Sequence, residues 1–263
     1  MANGAHLGAF GLDKNLEEFS LRSEEYLLHF IDEKPRWLSQ VPSLLEGSVV
    51  LDLGAGDGRM SYYIKKGFPR VKIISLDLSF LRCKRCRKNV DALVAQGDAQ
   101  AIPLRDKTVD FVICNQVIEH VPEEEKLLKE INRVLKMGGL SLISSVVASR
   151  YSWFIYKNKY GKRSLHPGHL REYASVAEFQ DLLKKWFEVT KLYSYRVRFS
   201  LVRHLVRLLY KYRLISRPPL DLFEKNFLLH GLQKLKVAAP GYHTVEVFAK
   251  KRFDTSGREH CKG

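Results

Sequence analysis

Residues 48–58 read Ser-Val-Val-Leu-Asp-Leu-Gly-Ala-Gly-Asp-Gly. A short unbroken apolar run is a strand covered on both faces, since a half-exposed strand would alternate. The glycines that end it permit a tight turn and let a ligand approach backbone, and the helix expected next opens its N-terminal N–H groups there. This unit sets the terms for the whole chain, because a buried parallel strand needs parallel neighbours and helices on both sides.

The pattern that follows supplies them. A helix is predicted over 58–66, a strand over 71–76, a helix over 80–90 and a weaker strand over 92–96. A strong strand follows at 109–115, then a helix at 123–135 with Gly138-Gly139 as its cap, and a strand at 140–147. Residues 148–171 are aromatic and basic. A helix over 174–187 has Ser175 as N-cap with Glu178 at capping-box spacing. Strand-like residues 188–197, a basic Leu-rich helical insertion over 198–237 and a last strand over 242–250 complete the chain. Ahead of the first strand, residues 23–45 have helical spacing, which Pro35 starts or interrupts. The fold class is therefore α/β, a doubly wound, mostly parallel seven-stranded sheet with a helical basic insertion before the last strand. The domains read as a flexible arm at 1–22, a body at 23–197 and 238–252, a helical cap at 198–237 and a flexible tail at 253–263.

The chain has 263 residues, 45% of them hydrophobic, enough for a large core. Its 44 Lys and Arg against 29 Asp and Glu give a formal charge of +15, which favours acidic partners such as nucleic acid, anionic lipid or phosphorylated substrates. Cys83, Cys86, Cys114 and Cys261 form no disulfide framework, and the lone C-x-x-C at 83–86 has no second pair to complete a zinc site, so no metal is expected. Met1 to Phe10 do not read as a secretory signal, and no apolar stretch reaches membrane-spanning length. The expectation is a cytoplasmic protein, peripheral at a membrane where its basic surface docks.

Two glycine-loop chemistries are excluded by spacing. A dinucleotide fingerprint counted from Gly54 needs a glycine at 59, where Arg59 stands, and G-x-x-x-x-G-K-[ST] is absent. The loop instead reads acidic-x-G-x-G-x-G, from Asp52 to Gly58, which suits a ligand with a cationic end. It resembles motif I of the class I S-adenosylmethionine-dependent methyltransferases. Three further segments extend the resemblance: Asp77-Leu78 ending the second strand, Gly97-Asp98-Ala99 ending the third, and Asp110 to Val121 at the fourth. The last is similar to the segment ending in Glu-His of the small-molecule, ubiquinone-biosynthesis-like (type 11) branch. The resemblance covers residues 45–147 closely and those after 174 loosely. It implies S-adenosyl-L-methionine as cofactor, held by Asp52, Gly54, Ala55, Gly56, Asp77, Leu78, Asp98, Ala99, Asn115 and Gln116. Asp77 would meet the ribose hydroxyls and Asp98 the adenine amino group. Asn115-Gln116-Val117-Ile118 departs from the N-P-P-[YF] of enzymes that methylate exocyclic base nitrogens.

Methyl transfer from a sulfonium is an in-line displacement, for which the protein orients the partners and excludes water. His120 is the candidate general base, because an imidazole titrates near neutrality. His166 to Tyr173 resembles the H-x-R-x-[FY] stretch of the family, which makes His169 and Tyr173 candidates to line the acceptor pocket. From Lys191 to Arg217 the chain has eight basic residues and no acid, with Arg203, Arg207 and Lys211 on one helix face. With the aromatic 148–163 stretch this insertion would cap an anionic or lipophilic acceptor at a membrane surface. Expected partners are a small-molecule or lipid acceptor and an anionic membrane. An RNA-modifying methyltransferase and a non-catalytic cofactor-binding partner protein remain the alternatives.

Overall fold

The structure, a computed structural model, describes residues 20, 34–41, 47–150, 152, 156–157, 161, 163–166, 168–216, 222–223, 226–232 and 234–252. The arm at 1–22 apart from Ser20, the tail at 253–263 and the aromatic side chains of 151–160 lie outside them. So do the side chains of Arg203, Arg207 and Lys211.

Seven strands form one sheet in the order β3-β2-β1-β4-β5-β9-β8. They are β1 (Val49–Leu53), β2 (Lys72–Asp77), β3 (Leu93–Gln96), β4 (Val109–Asn115), β5 (Leu135–Ala148), β8 (Glu188–Ser200) and β9 (Lys236–Lys250); β6 (Tyr156–Lys157) and β7 (Arg163–Ser164) pair separately. The helices are α1 (Arg59–Gly67), α2 (Phe80–Asn89), α3 (Glu124–Val134), α4 (Val176–Lys184), α5 (Leu201–Lys211) and α6 (Phe227–Leu232). Strands β1 to β5 run parallel, and β9 is antiparallel to both β5 and β8. The mostly parallel, seven-stranded expectation holds.

Side-chain alternation explains why the sheet is covered twice. Val50, Phe111, Ile113 and Leu142 pack on one face with Met60, Tyr63 and Ile64 of α1 and with Trp37. Leu51, Leu53, Val112, Cys114 and Ile143 pack on the other with Leu127, Leu128 and Ile131 of α3 and Phe179 and Leu183 of α4. Every second residue thus serves the opposite core, so both sets must be apolar.

Two details differ from expectation. Helix α3 ends at Val134 and Leu135 already turns extended, so Gly138-Gly139 is not its cap. The pair lies inside β5, where the register jumps between Val109↔Leu135 and Phe111↔Leu140, and Gly138 takes φ +69° in this irregularity. Strands β8 and β9 continue to pair through Ser200↔Lys236, so strand pairing takes both ends of the predicted insertion. Pro35 starts a 3-10 turn, Arg36–Gln40, which buries Trp37 and Leu38. Cys83 and Cys86 are buried thiols on the inner face of α2 beside Val94, and the C-x-x-C is packing. Among the described residues no helix is long and apolar enough to cross a membrane.

The order reverses at β1, which has β2 on one side and β4 on the other. Pairing Leu53 with Leu76 and with Cys114 levels the carboxyl ends of three strands. Gly54, Asp77 and Asn115 follow side by side, at the switch point where such sheets take ligands.

Gly58 is where loop, helix and sheet meet. It has φ +91°, and a Cβ there would lie 2.8 Å from both Cys86 Sγ and Val90 Cγ2. Gly58→Ala should therefore cost about 1–3 kcal/mol, read as a lower urea midpoint at unchanged slope.

Candidate active site

The loop after β1 is held down by the strand beside it. Gly54 and Ala55 donate their N–H groups to Leu76 O at 2.7 and 3.0 Å. Gly56 donates to Asp77 Oδ2 at 2.8 Å, and Ser79, the N-cap of α2, donates its N–H to Asp77 Oδ1 at 2.9 Å. Gly54 and Gly56 have φ of +70° and +58°, a region that only glycine enters cheaply. A Cβ on Gly54 would strike Val117 Cγ2 at 2.4 Å, so the loop lies directly against the turn after β4. Among the described residues the space beside Gly56 is open, for a Cβ there meets only the Arg82 guanidinium, at 3.8 Å.

Two carboxyl groups sit under this loop. Asp52 is 2% exposed, and its Oδ2 accepts from Ser61 N at 2.9 Å and Ser61 Oγ at 2.6 Å, which ties β1 to α1. Burial pushes its pKa up to about 6 despite these bonds, and the neighbouring Asp77 adds to the rise. Asp77 is 9% exposed, and burial raises it too, against the bonds from Ser79 and Gly56 and the charge of Arg82. Two buried acids in mutual repulsion favour a cation beside them and disfavour a phosphate.

The neighbouring strand ends complete the rim. Gly97 N–H donates to Asp77 O at 3.0 Å, and Asp98 folds its loop by accepting from Gln100 N at 2.8 Å. Ala99 is half-buried and Leu78 is exposed. Asn115 Oδ1 accepts from Ser144 Oγ at 2.9 Å. Gln116 takes φ +59° and donates its N–H to the same Ser144 hydroxyl at 3.1 Å, a costly backbone for a non-glycine residue and one typical of functional turns.

On the far side of Val117 lies a histidine cluster. His120 Nδ1 donates to Gly168 O at 3.0 Å, and its ring meets His169 edge-on at 4.9 Å and His166 at 5.9 Å between centroids. His169 is buried, with Nδ1 2.8 Å from Glu172 Oε1. Although an edge of the His120 ring faces solvent, crowding by protein atoms and the charge of His169 lower its pKa below the usual histidine value. A ring so placed is neutral at pH 7, and its lowered pKa makes it a weaker base than a free imidazole. Tyr173 is different. Its hydroxyl donates to Glu124 Oε2 at 2.7 Å and its ring packs on Phe179 in the core. It braces α3 and is not presented to an acceptor, because an aromatic at this position is needed to close the core beneath Val147.

Comparison with known proteins fits this geometry. A family described as "Methyltransferase domain" matches residues 51–143. A curated but uncharacterized methyltransferase of Schizosaccharomyces pombe is 34% identical over 199 residues, 72% of this chain and 74% of its own length. The chain is a methyltransferase of this family. It is also similar to the malonyl-[acyl-carrier protein] O-methyltransferase of Hamiltonella defensa, 27% identical over 65% of this chain and 64% of that one. It spans only 34% of the Xylella fastidiosa enzyme of the same name. Among solved structures, an S-adenosylmethionine dependent methyltransferase of Mesorhizobium loti aligns over 84% of this chain and all of its own, with TM-score 0.54 and 14% identity. A Haemonchus contortus phosphoethanolamine N-methyltransferase aligns over 82% of this chain and 51% of its own, with TM-score 0.56 and 18% identity.

The methyltransferase thus uses S-adenosylmethionine, and the residues present fit it. The space beside Gly56 would admit the ligand, the acid pair would suit its cationic groups, and Asp77 retains acceptor capacity for ribose hydroxyls. When bound, the cofactor supplies the activated methyl group. The loop and acids would orient it, and the apolar Val117 and Leu78 would limit water beside it.

Sequence reasoning missed Glu172, which orients His169. Its spacing of three from His169, one helical step, was the available signal. It also passed over Arg171, whose guanidinium donates to Ile118 O and Val121 O at 3.1 and 2.7 Å and clamps the Glu-His turn.

Two outcomes follow. Because the folded-state pKa of Asp52 is raised from 3.8 to about 6, its contribution to stability is complete below pH 4 and lost as pH rises through 6. Asp52→Asn removes that titration and should gain stability over the parent between pH 4 and 7.5, by on the order of 2 kcal/mol in paired urea melts. Tyr173→Phe should cost about 1 kcal/mol of stability and leave the rate of methyl transfer within twofold, since it loses one hydrogen bond away from the chemistry.

Proposed function

We propose that this enzyme methylates a small-molecule or lipophilic acceptor held at a membrane surface. The observation that carries this reading concerns the helices between β8 and β9. Strand β8 is antiparallel to β9, which is antiparallel to β5, so β8 points the same way as β1. Helix α5 therefore leaves from the carboxyl edge of the sheet, the edge that carries the glycine loop. Leu201, Leu205, Leu208 and Tyr212 recur at helical spacing along it and are all exposed, Leu205 by 56%. On α6, Phe227 is 93% exposed and Leu228 is exposed beside it. A row of bare apolar side chains on a helix whose sequence also carries Arg203, Arg207 and Lys211 is the composition of an interfacial helix.

The relatives support an acceptor of this kind. One set is named for a malonyl group on acyl-carrier protein, and the Haemonchus contortus structure is described with phosphomonomethylethanolamine and S-adenosylhomocysteine. A cap over the cofactor edge would bring the acceptor from the membrane plane to the sulfonium, and would keep the enzyme cytoplasmic and peripheral.

Flotation with vesicles tests this directly. The protein should float with anionic phosphatidylserine vesicles at low salt and much less with neutral ones, and Leu205→Ser with Leu208→Ser should reduce recovery at least about fivefold. Equal recovery from both vesicle types, or steep salt-dependent binding to transfer RNA in its place, would reverse the assignment in favour of an RNA acceptor.

A further inference from the structure

We propose that Glu119, His120 and His169 form a binding site for one divalent transition-metal ion, of the zinc class, next to the cofactor loop. Residue spacing alone does not point to it, because its ligands come from two segments 49 residues apart and match no compact metal motif.

One carboxylate oxygen of Glu119 and one ring nitrogen of each histidine lie within 4.8 Å of one another. Glu119 is fully buried, with Oε2 accepting from Ser145 Oγ at 3.1 Å and Oε1 without a hydrogen-bond partner among the described residues. An orphaned oxygen on a buried carboxylate is expensive, and a bound cation is one of the few groups that would relieve it. Both imidazoles are already oriented as metal ligands usually are. The Nδ1–H of His120 is donated to Gly168 O, and Nδ1 of His169 is bonded to Glu172 Oε1. Each ring therefore keeps Nε2 with its lone pair, and the carboxylate behind His169 fixes its tautomer and orientation. Glu172 is itself fixed by Leu165 N–H at 2.6 Å.

The two segments are joined before any ion binds. Leu170 N–H donates to Glu119 O at 2.8 Å, and Arg171 holds the carbonyls of Ile118 and Val121. Only a modest contraction, from 4.8 Å to the ~3.4 Å between donors around a tetrahedral zinc, separates the cluster from a coordination shell. The solvent-facing His120 ring can supply it. Two histidines and one glutamate leave a fourth position for water or for an oxygen of the acceptor. That last role rests on the methyl-transfer reading, whereas the ion site does not.

The test uses untagged full-length protein, dialysed against chelator and titrated calorimetrically with Zn2+ alone, without cofactor. One ion per chain is expected. His120→Ala and Glu119→Gln should each weaken binding at least about 100-fold, and Glu172→Gln about 10- to 100-fold, with circular dichroism confirming that each variant is folded. Co2+ should give visible d–d bands without the charge-transfer band of thiolate ligands. Absence of stoichiometric Zn2+ uptake by folded protein, uptake that His120→Ala and Glu119→Gln leave unchanged, or a cobalt–thiolate band would each overturn the site. None of these results depends on whether S-adenosylmethionine binds, so a failure of the cofactor reading would be seen separately.

Discussion

The bond from Gly56 N–H to Asp77 Oδ2, 2.8 Å long, is the point on which the site turns. It joins the loop after β1 to the end of β2, and so fixes the loop's backbone before any ligand arrives. It also keeps a carboxylate buried at the switch point of the sheet. A loop of glycines alone, opening on a helix N-terminus, would attract phosphate. With Asp52 and Asp77 packed beneath it, the same loop would favour a cation. The fold supplies the position and the two acids supply the sign of the charge.

Much of this was legible in the sequence because the body of the protein is built from local rules. Val49 to Leu53 and Val109 to Asn115 place apolar side chains on both faces, and that pattern has one stable use, a strand inside a doubly covered sheet. The observed β4 has the bounds the pattern predicts, and β1 to β3 differ by a residue or so. Ser175 caps α4 with its hydroxyl on Glu178 N–H at 3.0 Å, as the spacing implies. Legibility fails where long-range pairing overrides local preference. Gly138-Gly139 has the composition of a helix stop, yet the pairing of β4 with β5 claims it for an irregular strand. Ser200 and Lys236 belong to a predicted helical insertion, yet each is the other's strand partner.

The site divides along the same line. Asp52, Gly54, Gly56 and Asp77 stand where the sequence put them, since a strand end followed by a loop can face only one edge of a parallel sheet. The acceptor side was harder. His120 and His169 were named singly, and only the tertiary clasp of residues 118–121 against 165–171 shows that they share one cluster with Glu119. Tyr173 was drawn into the same group by the resemblance to the H-x-R-x-[FY] stretch, but its side chain leaves toward Glu124 and the core. An extended stretch sends neighbouring side chains in opposite directions, and residue types alone do not say which of them faces the ligand.

Ligand preference of the metal-free protein in calorimetry tests the central claim most directly. If the buried acid pair selects a cationic nucleoside, S-adenosylmethionine and S-adenosylhomocysteine both titrate at one per chain, and ATP and NAD give no saturable heat. Clean titration by ATP or NAD, with no heat from S-adenosylmethionine, would contradict the account.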